Sequence, residues 1–307
     1  MSRFFAIMGL IVSSSGQGAA AAETPGATNA ASKFPFNEAD VPHYTAYRTK
    51  ETLKIDGRLD EKSWIKAPRS ERFVDILTGQ PTKYDTRTAV VWNDEMLYIG
   101  FWIEEPNVTA SLTERDSPIY QNNDVEVFIA GKDAYYEFEI NALNTIYEVF
   151  FVWDDAYEKG GFSKIPQLKK SNPKVHPFNG VGFTTHPRGL RTGSWDWDFP
   201  GLQTAVHIDG TLNNDKDQDR GWTVELAFPW AGMKDLFLSE ERSIPPKNGD
   251  VLRIDFSRFN QYKTSTNDSS GWFLSPHKVW DSHIPEAFAH VHFSTREVGT
   301  VKAGAKK

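Results

Sequence analysis

Cysteine is absent from all 307 residues, which excludes disulfides, thiolate catalysis and a cysteine-linked lipid anchor, and leaves stability to the core or to bound ions. A basic excess is also missing. Lys and Arg total 34 against 41 Asp and Glu, a formal charge of -7, so the chain lacks the cations that would release counterions from a phosphate backbone. Long apolar runs are scarce. The stretch from Phe4 to Val12 is about half the ~20 residues that a membrane-spanning helix needs. No G-x-S-x-G elbow or H-E-x-x-H helix occurs.

What the chain does have is rings: 10 Trp, 10 Tyr and 21 Phe. In a polar sequence most of these are expected to build a β-rich core. The first residues run from Arg3 through Phe4–Val12 to Ala20, Ala21 and Ala22, the charged, apolar, small-residue order of a secretory signal. The expected divisions are a signal peptide over 1–22, a flexible linker over 23–41, one structured domain over 42–296 and a tail over 297–307. The expected location is secreted or periplasmic.

Within the domain, a short strand is expected at Leu53–Ile55, then a brief helix holding Trp64. "TRTAVVWNDEMLYIGFWIEE" reads as two strands around a turn at Asn93, Asp94 and Glu95. Asp124–Ala130, Tyr135–Asn141 and Ile146–Trp153 alternate with period two, placing Val125, Val127 and Ile129 on one face and Asp124 and Glu126 on the other. Residues 160–201 read as a long loop. Strands return at "TAVHIDG", "GWTVELAFPW", "DVLRIDFSRF" and "AHVHFS". The expected fold class is all-β, an antiparallel β-sandwich with a short N-terminal helix and a long loop insertion.

The hairpin gathers Asp124, Glu126, Glu137, Glu139 and Asn141 on one face. These residues suit three chemistries: a carboxylate pair for glycoside hydrolysis, a metal site, or a polar floor for sugar hydroxyls. A calcium loop is the reading for "HIDGTLNNDKDQDRGW", where Asp215, Asp217 and Asp219 alternate in a turn. His283, His290 and His292 form a loose group. Trp195, Trp197, Trp272 and Trp280 stand in loop-like contexts, available for stacking. For sugar, Tyr120 beside Asn122, Asn123, Asp124 and Glu126 supplies a ring and polar groups together.

The order "IDGRLDEKSW", "TAVVWNDEMLYIGFWIEEP", "RDSPIYQNNDVEVFI", "YYEFEINALNT", "DGTLNNDKDQDRGWTVELAFPW" and "IPEAFAHVHF" resembles the family 9 carbohydrate-binding modules over about Tyr44 to Ser294. That resemblance implies a noncatalytic sandwich that binds poly- or oligosaccharide between two aromatic clamps, with structural calcium and possible glycan-degrading enzymes as partners. Carried over by motif, the first clamp falls on Tyr120, the acidic contact on Glu126, the amide contact on Asn141 and the second clamp on Trp280. Tyr120 stands where the resemblance implies Trp, and Glu139 where it implies a basic contact. The expected carbohydrate-binding set is thus Tyr120, Asn123, Asp124, Glu126, Glu139, Asn141 and Trp280. The alternatives are a haem-binding sandwich using Met96 or a histidine as axial ligand, a partner-binding sandwich, and a glycoside hydrolase.

Overall fold

The computed structural model describes residues 33–261 and 268–300, so the expected signal peptide, residues 23–32 of the expected linker and residues 301–307 of the expected tail lie outside the described residues. The described residues form fourteen strands, the first seven being β1 (His43–Arg48), β2 (Val74–Asp75), β3 (Thr86–Trp92), β4 (Met96–Glu104), β5 (Asp124–Ala130), β6 (Ala134–Asn141) and β7 (Ile146–Trp153). The second half holds β8 (Val175–Phe178), β9 (Arg191–Ser194), β10 (Gln203–Asp209), β11 (Gly221–Pro229), β12 (Val251–Phe259), β13 (Gly271–Phe273) and β14 (Ala289–Glu297). The α-helices are α1 (Lys62–Lys66), which carries Trp64, and α2 (Asp154–Tyr157). No helix among the described residues is long and apolar enough to cross a membrane.

Hydrogen bonding runs along one path, β10-β11-β4-β3-β1-β14-β12-β5-β6-β7-β9-β8, with β13 joining β12 to β2. The joint is β1, which pairs parallel with β14 and, through Tyr47 and Arg48, parallel with β3; the other pairings are antiparallel. The path folds over at this joint into a sandwich. Alternating side chains of the two halves meet in its core, with Phe101 and Phe256 ring centroids 6.2 Å apart and Phe138 and Phe228 4.8 Å apart. Each such fully buried apolar side chain contributes roughly 1.5–3 kcal/mol.

Several boundaries shift from expectation. Leu53–Ile55 is not a strand, because the Glu225 carboxylate accepts the next backbone N–H groups, Asp56 at 3.1 Å and Gly57 at 3.2 Å, and holds the chain in a turn. The linker reading stops short of its expected end: Phe36 and Val41 are buried with Ile284 and Ala287. Likewise Glu297 closes β14 and Val298 is buried. Residues 160–201 are not all irregular, since β8 and β9 extend the sheet beyond β7; strands of four residues are too short to show periodicity.

The feature that positions the site is burial on both faces of the second half of the sandwich. All seven residues of β5 and all eight of β6 are buried. Their outward side chains lie under residues delivered by the 160–201 stretch and by the segment around His283, including Phe178, Trp195 and Phe288.

Candidate functional site

The sequence of β5 and β6 alternates apolar with acidic residues, and the register turns that alternation into a row across four strands. Glu126 lies opposite Glu139, Ser257 of β12 opposite Glu126, and Tyr147 of β7 opposite Glu139. One step along, Glu137 faces outward beside His283. Directly opposed side chains of like charge repel. Here the row forms the floor of a cleft of about 620 Å³.

Each carboxyl has a defined partner. Ser257 Oγ donates to Glu126 Oε2 at 2.8 Å, and the Tyr120 backbone N–H donates to Glu139 Oε2 at 2.8 Å. Glu137 Oε1 lies 3.4 Å from His283 Nε2, while His283 Nδ1 lies 3.2 Å from the Tyr135 hydroxyl. The walls are aromatic. Trp195 Nε1 donates to the Tyr147 hydroxyl at 2.7 Å, Tyr120 meets Tyr147 edge-on at 6.1 Å, and Trp280 packs edge-on against Phe259 at 5.4 Å. Tyr120 remains 49% exposed and Trp280 39%, and both line the cleft. A Cβ on Gly271 would sit 2.9 Å from the Trp280 ring, so glycine there leaves room for the indole.

Burial governs the electrostatics. It pushes Glu126 up to about 8, with the Asp255 charge adding and the Ser257 hydrogen bond opposing. Glu137 and Glu139 rise well above the usual carboxylate range through burial and then through repulsion from Glu126. Asp124 rises for the same reasons, opposed by the Phe259 N–H and the Arg258 charge. His283 is pushed down to about 3 by burial and stays a neutral imidazole. At neutral pH Glu126 in the ion-free floor is therefore mostly protonated, and a protonated carboxyl both donates and accepts hydrogen bonds, as hydroxyl ligands require.

The wall comes from far along the chain. Asp281 Oδ2 accepts the backbone N–H groups of Val181, Gly182 and Phe183 at 3.0, 3.1 and 2.8 Å. This clamp ties the 160–201 stretch to the segment carrying Trp280 and His283, with Phe178, Val181 and Trp195 brought to the cleft.

Of the seven expected sugar contacts, the structure brings four together in the cleft: Tyr120, Glu126, Glu139 and Trp280. Three do not line it. Asn123 is buried, its Nδ2 donating to Glu105 and its Oδ1 accepting the Gln261 N–H at 2.6 Å. Asn141 is buried too, donating to the Leu112 carbonyl and accepting N–H groups of Leu143 and Thr145. Asp124 is buried and accepts the Phe259 N–H at 3.2 Å. Asparagine favours such backbone bonds in turns, and that outweighs the outward direction given by alternation. Of the four loop-context tryptophans, Trp195 and Trp280 reach the cleft, while Trp197 stacks on Tyr136 in the core and Trp272 is buried in β13. Sequence reading missed Tyr147, Phe178 and Gln261; the register of Tyr147 opposite Glu139 was the signal for the first.

The acidic turn has a different geometry from a converging ligand set. Asp219 is buried and accepts the N–H groups of Thr211 and Val108 at 2.7 Å each; Asp217 accepts the Thr211 hydroxyl, and Asp215 the Asn107 amide. The three carboxylates do not fall within metal-ligand distance of one another as a group. Asp219→Ala would leave two N–H groups without their acceptor, so a loss of ~2–4 kcal/mol is expected in denaturant unfolding; a change under 1 kcal/mol would contradict the clamp.

The histidine group also differs from expectation. His283 belongs to the cleft, whereas His290 and His292 join His43, which β1 places against β14, with His43 Nδ1 and His292 Nε2 2.7 Å apart. Met96 packs in the small apolar cluster around Trp64 and does not line the cleft.

No family model and no curated protein matches the chain. Among solved structures, a Bacteroides uniformis protein described as a candidate carbohydrate-binding protein aligns over 83% of this chain and 100% of its own, at 14% identity and a TM-score of 0.54. Two structures of a family 9 carbohydrate-binding module from Caldicellulosiruptor kristjanssonii, with cellotriose and with glucose, align over 85% and 82% of this chain and 100% and 97% of theirs. Their identities are 15% and 14%, each with a TM-score of 0.44. The likeness to the Bacteroides uniformis structure shows a shared fold.

Proposed function

We propose that this chain is an exported, noncatalytic carbohydrate-binding protein whose cleft takes poly- or oligosaccharide. The observation that carries the reading is the pairing of two half-exposed rings, Tyr120 and Trp280, with two buried carboxyls, Glu126 and Glu139, in one cleft. Rings cover the apolar faces of a pyranose and carboxyls meet its hydroxyls. The carbohydrate-binding description of the Bacteroides uniformis neighbour supports the same choice.

A glycan array on the chain lacking residues 1–22 tests it. Tyr120→Ala and Trp280→Ala are each expected to weaken the best glycan by on the order of 1–3 kcal/mol, about tenfold to a hundredfold. Both rings are partly exposed, so the variants should keep the wild-type melting temperature. Unchanged affinity in a folded variant removes that ring from the site. An array with no ligand favours the partner-binding reading, and a Soret band in the visible spectrum the haem reading.

One observation favours hydrolysis as a second reading: Glu126, raised to about 8, has the protonation of a general acid at neutral pH. Incubation with the array's best glycans should release no reducing ends. Release that disappears in Glu126→Gln would make the protein a glycosidase. Export is tested by mass spectrometry of extracellular and periplasmic fractions, with a mature chain expected to begin near Glu23.

A further inference from the structure

We propose that the carboxylates under the cleft form a site for a hard divalent cation of the calcium class, with Asp124, Glu126 and Glu139 as its protein ligands. One carboxylate oxygen from each lies within 4.8 Å of the other two, the span available to oxygens that share one ion at about 2.4 Å. The sheet sets this distance. Glu126 and Glu139 are opposed across β5 and β6, and Asp124 lies two residues along the same face of β5.

Asp124 supplies the independent sign of a ligand. It is fully buried; its Oδ1 accepts the Phe259 N–H at 3.2 Å, and its Oδ2 has no hydrogen-bond donor among the described residues. A buried carboxylate oxygen without a donor is costly unless a cation meets it. The Arg258 guanidinium, close by, donates hydrogen bonds to Glu105, Asn260, Thr86 and the Glu104 carbonyl.

Depth and ligand type choose the occupant. Glu126 and Glu139 line the cleft, and Asp124 does not. An amine carried on a sugar could meet the first two from the cleft, whereas a bare ion can reach all three. Three carboxylates without sulfur or imidazole suit a hard, oxygen-seeking ion. Such an ion takes six to eight oxygens, so the cleft side would keep positions for water or ligand hydroxyls. The ion site rests on geometry alone; only its part in sugar recognition rests on the function proposed above.

The test uses the full chain stripped with a chelator and no sugar. Terbium should give luminescence sensitised by the rings of the cleft, and calcium should displace it. Glu126→Gln and Glu139→Gln, each shown folded by circular dichroism, should weaken terbium and calcium by about tenfold or more, while Asp217→Asn in the separate acidic turn should leave this binding unchanged. A wild-type measurement guards against variants that fail to fold: manganese should broaden the indole N–H signals of Trp195 and Trp280 before that of Trp64, which packs on the other half of the sandwich. Undiminished terbium binding in both folded glutamine variants, broadening confined to the Asp215–Asp219 turn, or an amino sugar bound by ion-free protein in place of calcium would each overturn the proposal. A glycan array that fails while calcium still binds sinks the sugar reading and leaves the ion site standing.

Discussion

Stripped of divalent cations, the protein should lose stability as the pH rises from 6.5 to 8. Glu126 has an ordinary value of 4.5 and sits at about 8 in the fold, chiefly through burial, and Asp124, Glu137 and Glu139 are raised in the same direction. A carboxyl raised on folding stabilises fully below its unfolded value, and that contribution disappears as the pH climbs through the folded one. Each carboxyl that holds a proton only in the fold steepens the loss by about 1.4 kcal/mol per pH unit. Over this window Glu126 alone accounts for on the order of 1–2 kcal/mol, and the shifts of the other three have the same sign. Glu225, pushed up to about 7 by burial despite a hydrogen bond from Trp64, acts the same way up to its own value.

The window is chosen by His283. Burial takes it from 6.5 to about 3, so its stability contribution is present above 6.5 and is lost as the pH falls toward 3. It opposes the carboxyls below pH 6.5 and is silent above. Denaturant midpoints measured in chelator should therefore fall between pH 6.5 and 8, and Glu126→Gln, neutral throughout, should flatten the slope. Calcium should restore the wild type at pH 8 if the ion site stands. A flat profile in chelator would show that these carboxyls ionise in the fold without penalty.

Arg258→Met should destabilise the protein by about 3–5 kcal/mol, the cost of leaving a buried charge without its partner. Arg258 and Glu105 are both buried, with Nη2 3.3 Å from Oε2. The guanidinium also donates to Asn260 Oδ1 at 2.7 Å, Thr86 Oγ1 at 3.0 Å and the Glu104 carbonyl at 2.9 Å, and lies 4.6 Å from the Trp272 ring. Glu105 is a hub in turn, accepting Trp222 Nε1 at 2.7 Å and the Asn123 amide. Through Asn123, which accepts the Gln261 N–H, the network reaches a residue of the cleft. Glycan binding should weaken in whatever fraction remains folded. Urea unfolding of Arg258→Met, Glu105→Gln and the double variant checks it: the double should cost less than the sum, because Gln leaves no orphaned charge. A single-variant cost below about 1 kcal/mol would mean that Glu105 finds another partner or takes up a proton.

The strands and their faces were legible in the sequence where alternation runs for seven residues or more. Val125, Val127 and Ile129 go to the core and Glu126 and Glu139 away from it, as period two requires. The turn at Asn93 likewise follows from local chemistry, its side chain accepting the N–H groups of Glu95 and Met96. Tyr120 and Trp280 stand half-exposed at the cleft.

What alternation cannot carry is what lies over an outward face. The sequence alone determined that acidic side chains leave the core on one side of the β5–β6 hairpin. Only the tertiary structure decided that they are buried there, because the covering residues, Trp195, Phe178 and His283, arrive from segments remote in the chain and are tied together by Asp281. The same distance in sequence hid the fates of Asn123 and Asn141, whose amides are consumed by Glu105 and by the Leu112 carbonyl. Burial changes the chemistry as well as the shape: in water Glu126 would be an ordinary carboxylate, and beneath these aromatic walls it is pushed up to about 8. Periodicity fixes a side chain's direction from its neighbours in the strand, whereas desolvation depends on atoms that no local pattern contains.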